Sequence, residues 1–346
     1  MQITLFTIFM SVLWSSVLAV FNYFCRKRQL FIKHIGIINV MVLYLFAVMR
    51  MLVPFNFSFT KIIHSEGVLN KLGADAYPLL LPSVVSVWAA VSTVLIVRFI
   101  CRYLKAVKGF LAYGIREDEQ CKRIFRLVSH ECERRMRVPI RHSTDINIPM
   151  GIGVFRKSII LPMEEYSDSE LYYILRHEYT HFQNRDLIIK ILIHIYRCIF
   201  WWNPAIYLLE KNLARILEIR CDLNVTGSMQ SRDKAEYLTT IVTMLKRAGT
   251  GSPHNVFCGV TALIQGNCEP EIIERFKIVS AGCRHKKRNR LFVGSWVLIF
   301  GLLILLSCSY VVQPEYKASA SGITTETETM YNIRCIDNTY YVYFCK

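Results

Sequence analysis

Two histidines and a glutamate in residues 177–181 have a spacing that suits a metal site. The segment reads His177-Glu178-Tyr-Thr-His181, the HExxH pattern. Helix residues four positions apart lie on the same face, so both imidazoles can converge on one ion. A zinc ion held in this way keeps an open position for water, and Glu178 is placed to accept a proton from that water. The pattern predicts zinc-assisted hydrolysis.

A third metal ligand is expected downstream of this segment. Glu218 lies in a second helical segment, and a carboxylate there would complete the three protein ligands and one water that hydrolytic zinc sites use. Asp222 follows one helical turn later and is predicted to hydrogen-bond a zinc-bound imidazole. The alternative interpretation is a pair of ordinary helix histidines with two surface carboxylates.

The helix that carries the histidines has a clear start signal. Ser167 and Glu170 have the spacing of a capping box, which predicts a helix from about Asp168 through His177.

The next segments place Glu218 on a neighbouring helix. Residues 187–202 are strongly apolar but carry polar residues at helical spacing, which indicates an amphipathic helix against the membrane or another helix, with a fifth membrane span as the alternative. Its final pair, Trp201-Trp202, is typical of the membrane interface. Asn203-Pro204 then interrupts the pattern, and residues 206–225 form the helix of Glu218.

Upstream of the metal helix the sequence predicts a helix followed by short strands. Residues 115–137 read as a solvent-facing amphipathic helix. Strands are expected at 138–141, at 146–148 and up to Pro162. The glycine-containing segment 149–153 is either a turn or a strand edge that holds an extended substrate by main-chain hydrogen bonds.

The composition indicates a membrane protein. Hydrophobic residues make up 53% of the chain and charged residues only 20%, which is too apolar for an ordinary soluble enzyme. Four apolar segments approach the roughly 20 residues that a membrane-spanning helix needs. The first is interpreted as a retained span because its basic residues follow it and do not precede it. The segments are 3–24, 34–53, 80–101 and 291–311.

Basic residues predict the orientation of these spans. Lys and Arg cluster between spans one and two, after span three and before span four, and such clusters mark the cytoplasmic side. The N-terminus, loop 54–79 and tail 312–346 are therefore expected outside, and residues 104–290 in the cytoplasm. The net charge of +16 is explained by this topology, and direct binding of nucleic acid is not expected.

The resulting expectation is a multi-pass α-helical membrane protein with a cytoplasmic, mainly helical α+β metallopeptidase domain. Residues 1–103 would form a three-span anchor and residues 104–290 the peptidase domain. Residues 291–311 would be the fourth span, and residues 312–346 a short extracytoplasmic tail.

The combination of motifs resembles the BlaR/MecR-type membrane zinc metallopeptidases, peptidase family M56. The motifs are specific in combination, and the four-span layout and the segment 149–162 are also similar. The residues that carry the resemblance are 174–181, Arg185-Asp186, Trp202-Asn203-Pro204, Glu218 and Cys221-Asp222.

The resemblance implies a gluzincin-like domain that binds zinc through His177, His181 and Glu218, with Glu178 as the general base. The best-known relatives sense β-lactams outside the cell and cause cleavage of a cytoplasmic DNA-binding repressor. Here only residues 312–346 follow the fourth span, and they contain no Ser-x-x-Lys motif. The penicillin-binding sensor domain is therefore expected to be missing, and a separate extracytoplasmic sensor protein is expected as a partner.

The sequence thus favours a signal-transducing protease in the cell membrane that cleaves a cytoplasmic transcriptional repressor. A membrane-protein quality-control peptidase is the alternative enzyme. A non-catalytic scaffold or receptor is the alternative of another class, and the intact Glu178 argues against it, because a scaffold has no need of a general base.

Overall fold

The computed structural model describes residues 5–27, 36–52, 60–65, 77–114, 118–132, 135–248, 261–262, 269–280, 290–314, 331–336 and 339–344. These residues are mainly helical. The helices are α1 (Leu5–Lys27), α2 (Ile37–Leu52), α3 (Tyr77–Ala112), α4 (Glu119–Glu131), α5 (Asp168–Asn184), α6 (Asp186–Ile199), α7 (Pro204–Thr226), α8 (Ser231–Ala248), α9 (Glu269–Ser280) and α10 (Arg290–Ser309). The strands are β1 (Lys61–Ser65), β2 (Ile140–Ser143), β3 (Met150–Ile152), β4 (Ser158–Pro162), β5 (Thr261–Ala262), β6 (Tyr310–Pro314), β7 (Tyr331–Ile336) and β8 (Thr339–Phe344).

Each of the four predicted spans coincides with a helix, namely α1, α2, α3 and α10. Among the described residues, two apolar stretches are long enough to cross a membrane, Ile8–Arg26 in α1 and Pro82–Ala112 in α3. The apolar stretches Asn39–Leu52 and Gly294–Ser309 are shorter. α3 continues without a break past residue 103, where the sequence had suggested the end of the anchor.

A small mixed sheet covers one side of the metal helix. Its strand order is β2-β4-β3-β5, with β2 parallel to β4 and β3 antiparallel to both of its neighbours. The predicted strand at 146–148 is wrong, because these residues are irregular and the strand begins after Pro149, whose nitrogen has no hydrogen to donate to a sheet. Gly153 has φ +82 in the turn to β4, and a Cβ there would overlap the carbonyl group of Arg156.

The strand-edge interpretation of this segment does not hold for its first two strand residues. Met150 and Gly151 pair with β4 on one side and with β5 on the other. Their main-chain groups therefore already have partners in the sheet, and the turn interpretation holds only for Gly153, which follows the strand.

Helix α5 begins as the sequence predicted. The Ser167 hydroxyl accepts a hydrogen bond from the Glu170 amide at 3.2 Å, and the Glu170 carboxylate accepts one from the Ser167 amide at 3.0 Å. One hydrophobic core surrounds the helix and includes Leu175 and Tyr179, together with residues of α4, α8 and the sheet. This burial fixes the rotation of α5 and the direction of its histidines.

Helices α6 and α7 form a hairpin that packs against the apolar helices. At about 1.5 Å per residue, the 14 residues of α6 reach only about 21 Å, less than the roughly 30 Å of a bilayer core. This length argues against a fifth full span. A second hydrophobic core joins α1 and α2 to residues of α6, α7, α9 and α10. The apolar helices α1 and α2 therefore share a core with α7, the helix of Glu218.

Candidate metal centre

Three side chains predicted as metal ligands converge at one buried point between α5 and α7. The Nε2 atoms of His177 and His181 lie 3.1 Å apart, and Oε2 of Glu218 lies 3.6 Å from each of them. Both histidines are fully buried and Glu218 is 4% exposed. The i, i+4 spacing on α5 brings the two rings together, and the crossing of α7 supplies the carboxylate.

The outward nitrogen of His177 belongs to a hydrogen-bonded relay. The Tyr237 hydroxyl donates to Oδ1 of Asp222 at 2.7 Å. Its single proton is thereby used, so at 2.9 Å from His177 it accepts the proton of Nδ1. Asp222 itself lies 3.6 Å from that nitrogen and acts on His177 through Tyr237. The relay directs the Nε2 lone pair toward Glu218 and His181.

His181 is oriented by Asp186, the second residue after α5. Its Nδ1 lies 2.6 Å from Oδ2 of Asp186, and the other oxygen of that carboxylate, Oδ1, accepts a hydrogen bond from Arg220 on α7. Arg185 makes this approach possible because it adopts the left-handed conformation, with φ 58, and turns the chain sharply between α5 and α6. Asp186 is fully buried, so its carboxylate serves the interior of the site and does not face solvent.

The charges around the centre favour a cation at the point of convergence. Burial raises the pKa of the Glu218 carboxyl, but Lys190 and His181 lower it well below its usual range. Lys190 Nζ lies 3.2 Å from Oε1 of Glu218, the oxygen that faces away from the histidines. Burial lowers the pKa of His177, whereas Cys221 and Glu218 raise it to about 9. The cluster therefore attracts positive charge, whether as a proton or as a metal ion.

The geometry of the three atoms fits a tetrahedral metal ion. Ligand distances of about 2.0–2.1 Å imply separations of about 3.3–3.4 Å between neighbouring ligand atoms, and the observed separations are 3.1, 3.6 and 3.6 Å. Oε2 of Glu218 is buried and has no hydrogen-bond partner among the described residues. Such an atom is costly unless it binds a cation.

Cys221 is a further candidate donor that the sequence had not singled out as a ligand. Its Sγ and the donor atoms of the two histidines lie within 4.8 Å of one another. The thiol, however, lies 3.6 Å from Nδ1 of His177 and donates to the backbone oxygen of His177 at 3.4 Å. It therefore lies behind the ring, on the side of the nitrogen that the relay already uses.

Glu178 is fully buried on α5, within the same turn of helix as both histidines. Its role as general base stays a prediction. The supporting residues Lys190, Tyr237 and Arg275 had no assigned role in the site. The sequence could have pointed to Lys190, because it is a cation within an apolar helix. Tyr237 lies on α8, the helix after that of Glu218, and belongs to no local motif.

Comparisons with known proteins identify a family for the chain. The sequence profile of the family described as BlaR1 peptidase M56 matches residues 28–279, more than half of the chain. The methicillin resistance mecR1 protein of Staphylococcus aureus is 30% identical over 203 residues, which cover 55% of this chain and 34% of that protein. The regulatory protein BlaR1 of Bacillus licheniformis is 25% identical over 154 residues, 44% of this chain and 26% of that protein. The aligned part thus spans only about a quarter to a third of the length of these curated relatives.

Proposed function

The chain belongs to the BlaR1-type M56 peptidase family, and we propose that it is a membrane zinc endopeptidase with His177, His181 and Glu218 as metal ligands. One observation carries the proposal. The two Nε2 atoms and the Glu218 carboxylate oxygen meet at separations that suit a tetrahedral ion, and each outward Nδ1 is held by its own partner. Two nitrogens and one oxygen are the ligand set of many hydrolytic zinc sites.

The residues of the chain would divide the work of peptide hydrolysis. A zinc ion at this position would polarise the scissile carbonyl and lower the pKa of water toward neutrality. Glu178 would accept the proton of the attacking water and deliver it to the amine leaving group. Tyr237 and Asp186 would hold the histidine rings, and Lys190 would hold Oε1 of Glu218 so that Oε2 faces the ligands.

A comparison of two substitutions tests this assignment. In Glu178→Gln, we expect the purified full chain to keep its zinc and to lose about 100-fold to 10,000-fold in casein hydrolysis, because general-base catalysis contributes about that much. In Glu218→Gln, both zinc content and hydrolysis should fall. Glu119→Gln is the matched control, since this side chain is 83% exposed on α4. A wild-type protein without bound zinc or hydrolysis would reject the proposal.

We also propose the multi-pass topology, with the metal site on the cytoplasmic side. The apolar helices expose large apolar side chains on their outer faces, including Val84 and Val94 at 64% and Val297 at 67%, as expected of surfaces that contact lipid. Strands β1 and β6 pair in parallel, which supports placing residues 61–65 and 310–314 on the same side, outside. The peptidase helices lie near the other end of α1, where basic residues are concentrated.

The proposed substrate is a cytoplasmic DNA-binding repressor, and the proposed source of the signal is a separate protein outside the membrane. The support is the family, whose relatives include a regulatory protein and a methicillin resistance protein. Mapping of new protein N-termini in cells that carry the wild type or Glu178→Gln tests this. Cleavage of one repressor only with the wild type is expected. Cleavage of many damaged membrane proteins would indicate a quality-control peptidase.

A further inference from the structure

Helix α9 carries an arginine that reaches the metal centre. Arg275 is 7% exposed, and its guanidinium donates to both oxygens of Asp222, from Nε at 2.7 Å and from Nη2 at 2.8 Å. Its Nη1 lies 3.9 Å from Oε2 of Glu218. A two-point contact of this kind fixes the plane of a carboxylate as well as its position. Arg275 therefore determines where Asp222 lies.

The position of Asp222 determines the orientation of the His177 ring through Tyr237. Asp222 accepts the proton of Tyr237, and Tyr237 accepts the proton of His177 Nδ1. Each member of this relay is buried, so water cannot replace a lost partner at low cost. A shift of Arg275 would therefore change the direction in which His177 presents Nε2, although the arginine does not touch that ring.

The preceding residue of α9 makes a connection to the membrane helix α1. Oε1 of Glu274 accepts a hydrogen bond from Nη1 of Arg26 at 2.8 Å. Arg26 is 1% exposed and also donates from Nη2 to Oδ1 of Asn212 at 3.2 Å. It occupies the last turn of α1. The same turn of α9 thus holds the end of α1 through Glu274 and the metal centre through Arg275.

These contacts form a continuous path between an apolar helix and a metal-site histidine. Arg26 is the buried member of its pair and Glu274 is 20% exposed, so loss of Arg26 would remove the contact that holds this turn of α9 against α1, and α9 would be free to shift. Groups that orient a metal ligand typically change metal affinity by about 10-fold to 100-fold when they are lost. A small displacement of α1 relative to α9 is therefore large enough to matter for a metal site.

We propose that Arg275 is a positioning residue of the metal site and that the Arg26–Glu274 pair couples the cytoplasmic end of α1 to it. This inference rests on the proposed function, because it concerns the zinc affinity of His177, His181 and Glu218. It adds a route by which movement of a membrane helix alters the catalytic centre. The route runs from Arg26 through α9 and Asp222 to His177.

The test is a double-mutant cycle on zinc affinity in the full chain, purified in detergent. The zinc dissociation constant is measured by competition with a chromophoric chelator. We expect Arg275→Gln to weaken binding by about 10-fold to 100-fold and Arg26→Gln by about 10-fold. If Arg26 acts on the site only through Arg275, the double variant should bind zinc no more weakly than Arg275→Gln alone. In that variant the connection from Arg26 to the metal site is already broken.

Matched variants separate this route from a general loss of structure. Lys277→Gln removes a charge from the exposed side of the same helix and should leave zinc affinity unchanged. Arg275→Lys keeps the charge without the two-point contact and should give an intermediate loss, and it replaces Arg275→Gln if that variant does not fold. Wild-type affinity in Arg26→Gln, or losses that simply add in the double variant, would overturn the coupling and leave the proposed function intact. A wild-type chain that binds no zinc would overturn both.

Discussion

At the scale of single residues, the centre is defined by which nitrogen of each histidine is already in use. Tyr237 and Asp186 engage the Nδ1 atoms, which leaves the Nε2 atoms to face each other and Glu218. The same reasoning separates the two candidates for a third ligand. Glu218 faces the Nε2 side, whereas Cys221 lies near Nδ1 of His177 and donates to a backbone carbonyl oxygen.

The choice between Glu218 and Cys221 can be measured. We expect Cys221→Ser to change zinc affinity by less than about threefold, because its thiol donates to a backbone oxygen and Tyr237 already holds His177. Loss of an orienting group would cost about 10-fold or more. Glu218→Gln should lower affinity by well over that amount, since it removes a charged ligand. Substitution of Co²⁺ gives an independent readout, because a coordinated thiolate produces a charge-transfer band. Such a band in the wild type, lost in Cys221→Ser, would make Cys221 the ligand.

Asp186 is expected to matter for zinc affinity because it orients His181. In Asp186→Asn, the amide can present its NH₂ group to His181, which favours the tautomer with the proton on Nε2. That tautomer cannot bind a metal through Nε2. We expect zinc affinity to fall by about 10-fold to 100-fold, measured by chelator competition. Asn184→Asp, at a partly exposed position two residues away, should have little effect.

The residues of the site differ in how far the sequence could predict them. His177 and His181 follow from a fixed spacing on one helix, because four residues return the chain to the same face. Glu218 needed a second helix and the assumption that the two cross. Tyr237 lies in a third helix, and nothing in its local sequence distinguishes it from a core tyrosine. Its role depends on tertiary packing that periodicity alone does not encode.

At the scale of elements, the junction between α5 and α6 is the tightest part of the site. Arg185 is at once the C-cap of α5 and the residue before α6, and its amide donates to the backbone oxygens of His181 and Phe182. A left-handed residue at this position reverses the chain within one residue. Asp186 can therefore come back beneath His181, which a longer loop would not guarantee.

Arg185 is exposed and uses a conformation that glycine adopts at lower cost. We expect Arg185→Gly to stabilise the protein by up to about 1 kcal/mol, and Arg185→Val to destabilise it by about 1–2 kcal/mol, because a β-branched side chain is strained there. Denaturant unfolding of the purified chain measures both changes. Zinc affinity should follow the same order, and a less stable Arg185→Gly variant would show that the arginine side chain itself holds the turn.

Helices were predicted better than strands, for a physical reason. The capping box at Ser167 and the Asn203-Pro204 start of α7 are local signals, and the structure has both helices there. Strand pairing depends on distant partners, so the apolar residues 146–148 looked like a strand although the sheet uses β3 instead. β3 pairs with β5, more than 100 residues later, and the local sequence of either strand could not predict this pairing.

At the scale of the whole molecule, the α6–α7 hairpin lies deep among the apolar helices. The backbone oxygen of Ile199 accepts hydrogen bonds from Trp88 at 2.7 Å and from Ser92 at 3.3 Å, both on α3. Asn203 donates to the Ser16 hydroxyl at 2.8 Å, halfway along α1. The turn with Trp202 is therefore level with the middle of α1, and in the proposed topology it would lie deeper than the membrane interface that the sequence suggested. Hydropathy alone could not show this, because the depth is set by long-range contacts.

The depth of this turn gives the sharpest test of the proposed topology. Single cysteines at three exposed positions are compared with the parent chain by a membrane-impermeant maleimide, in intact and in permeabilised cells. Lys61→Cys should be labelled in intact cells, and Glu119→Cys, at a side chain 83% exposed, only after permeabilisation.

Trp202 is 48% exposed in the protein, so Trp202→Cys should react readily if water surrounds it. We expect no labelling at this position under either condition, because lipid would cover it and maleimides react with the thiolate that forms in water. Strong labelling of Trp202→Cys in permeabilised cells would place the hairpin outside the bilayer, and labelling of Glu119→Cys in intact cells would invert the whole topology.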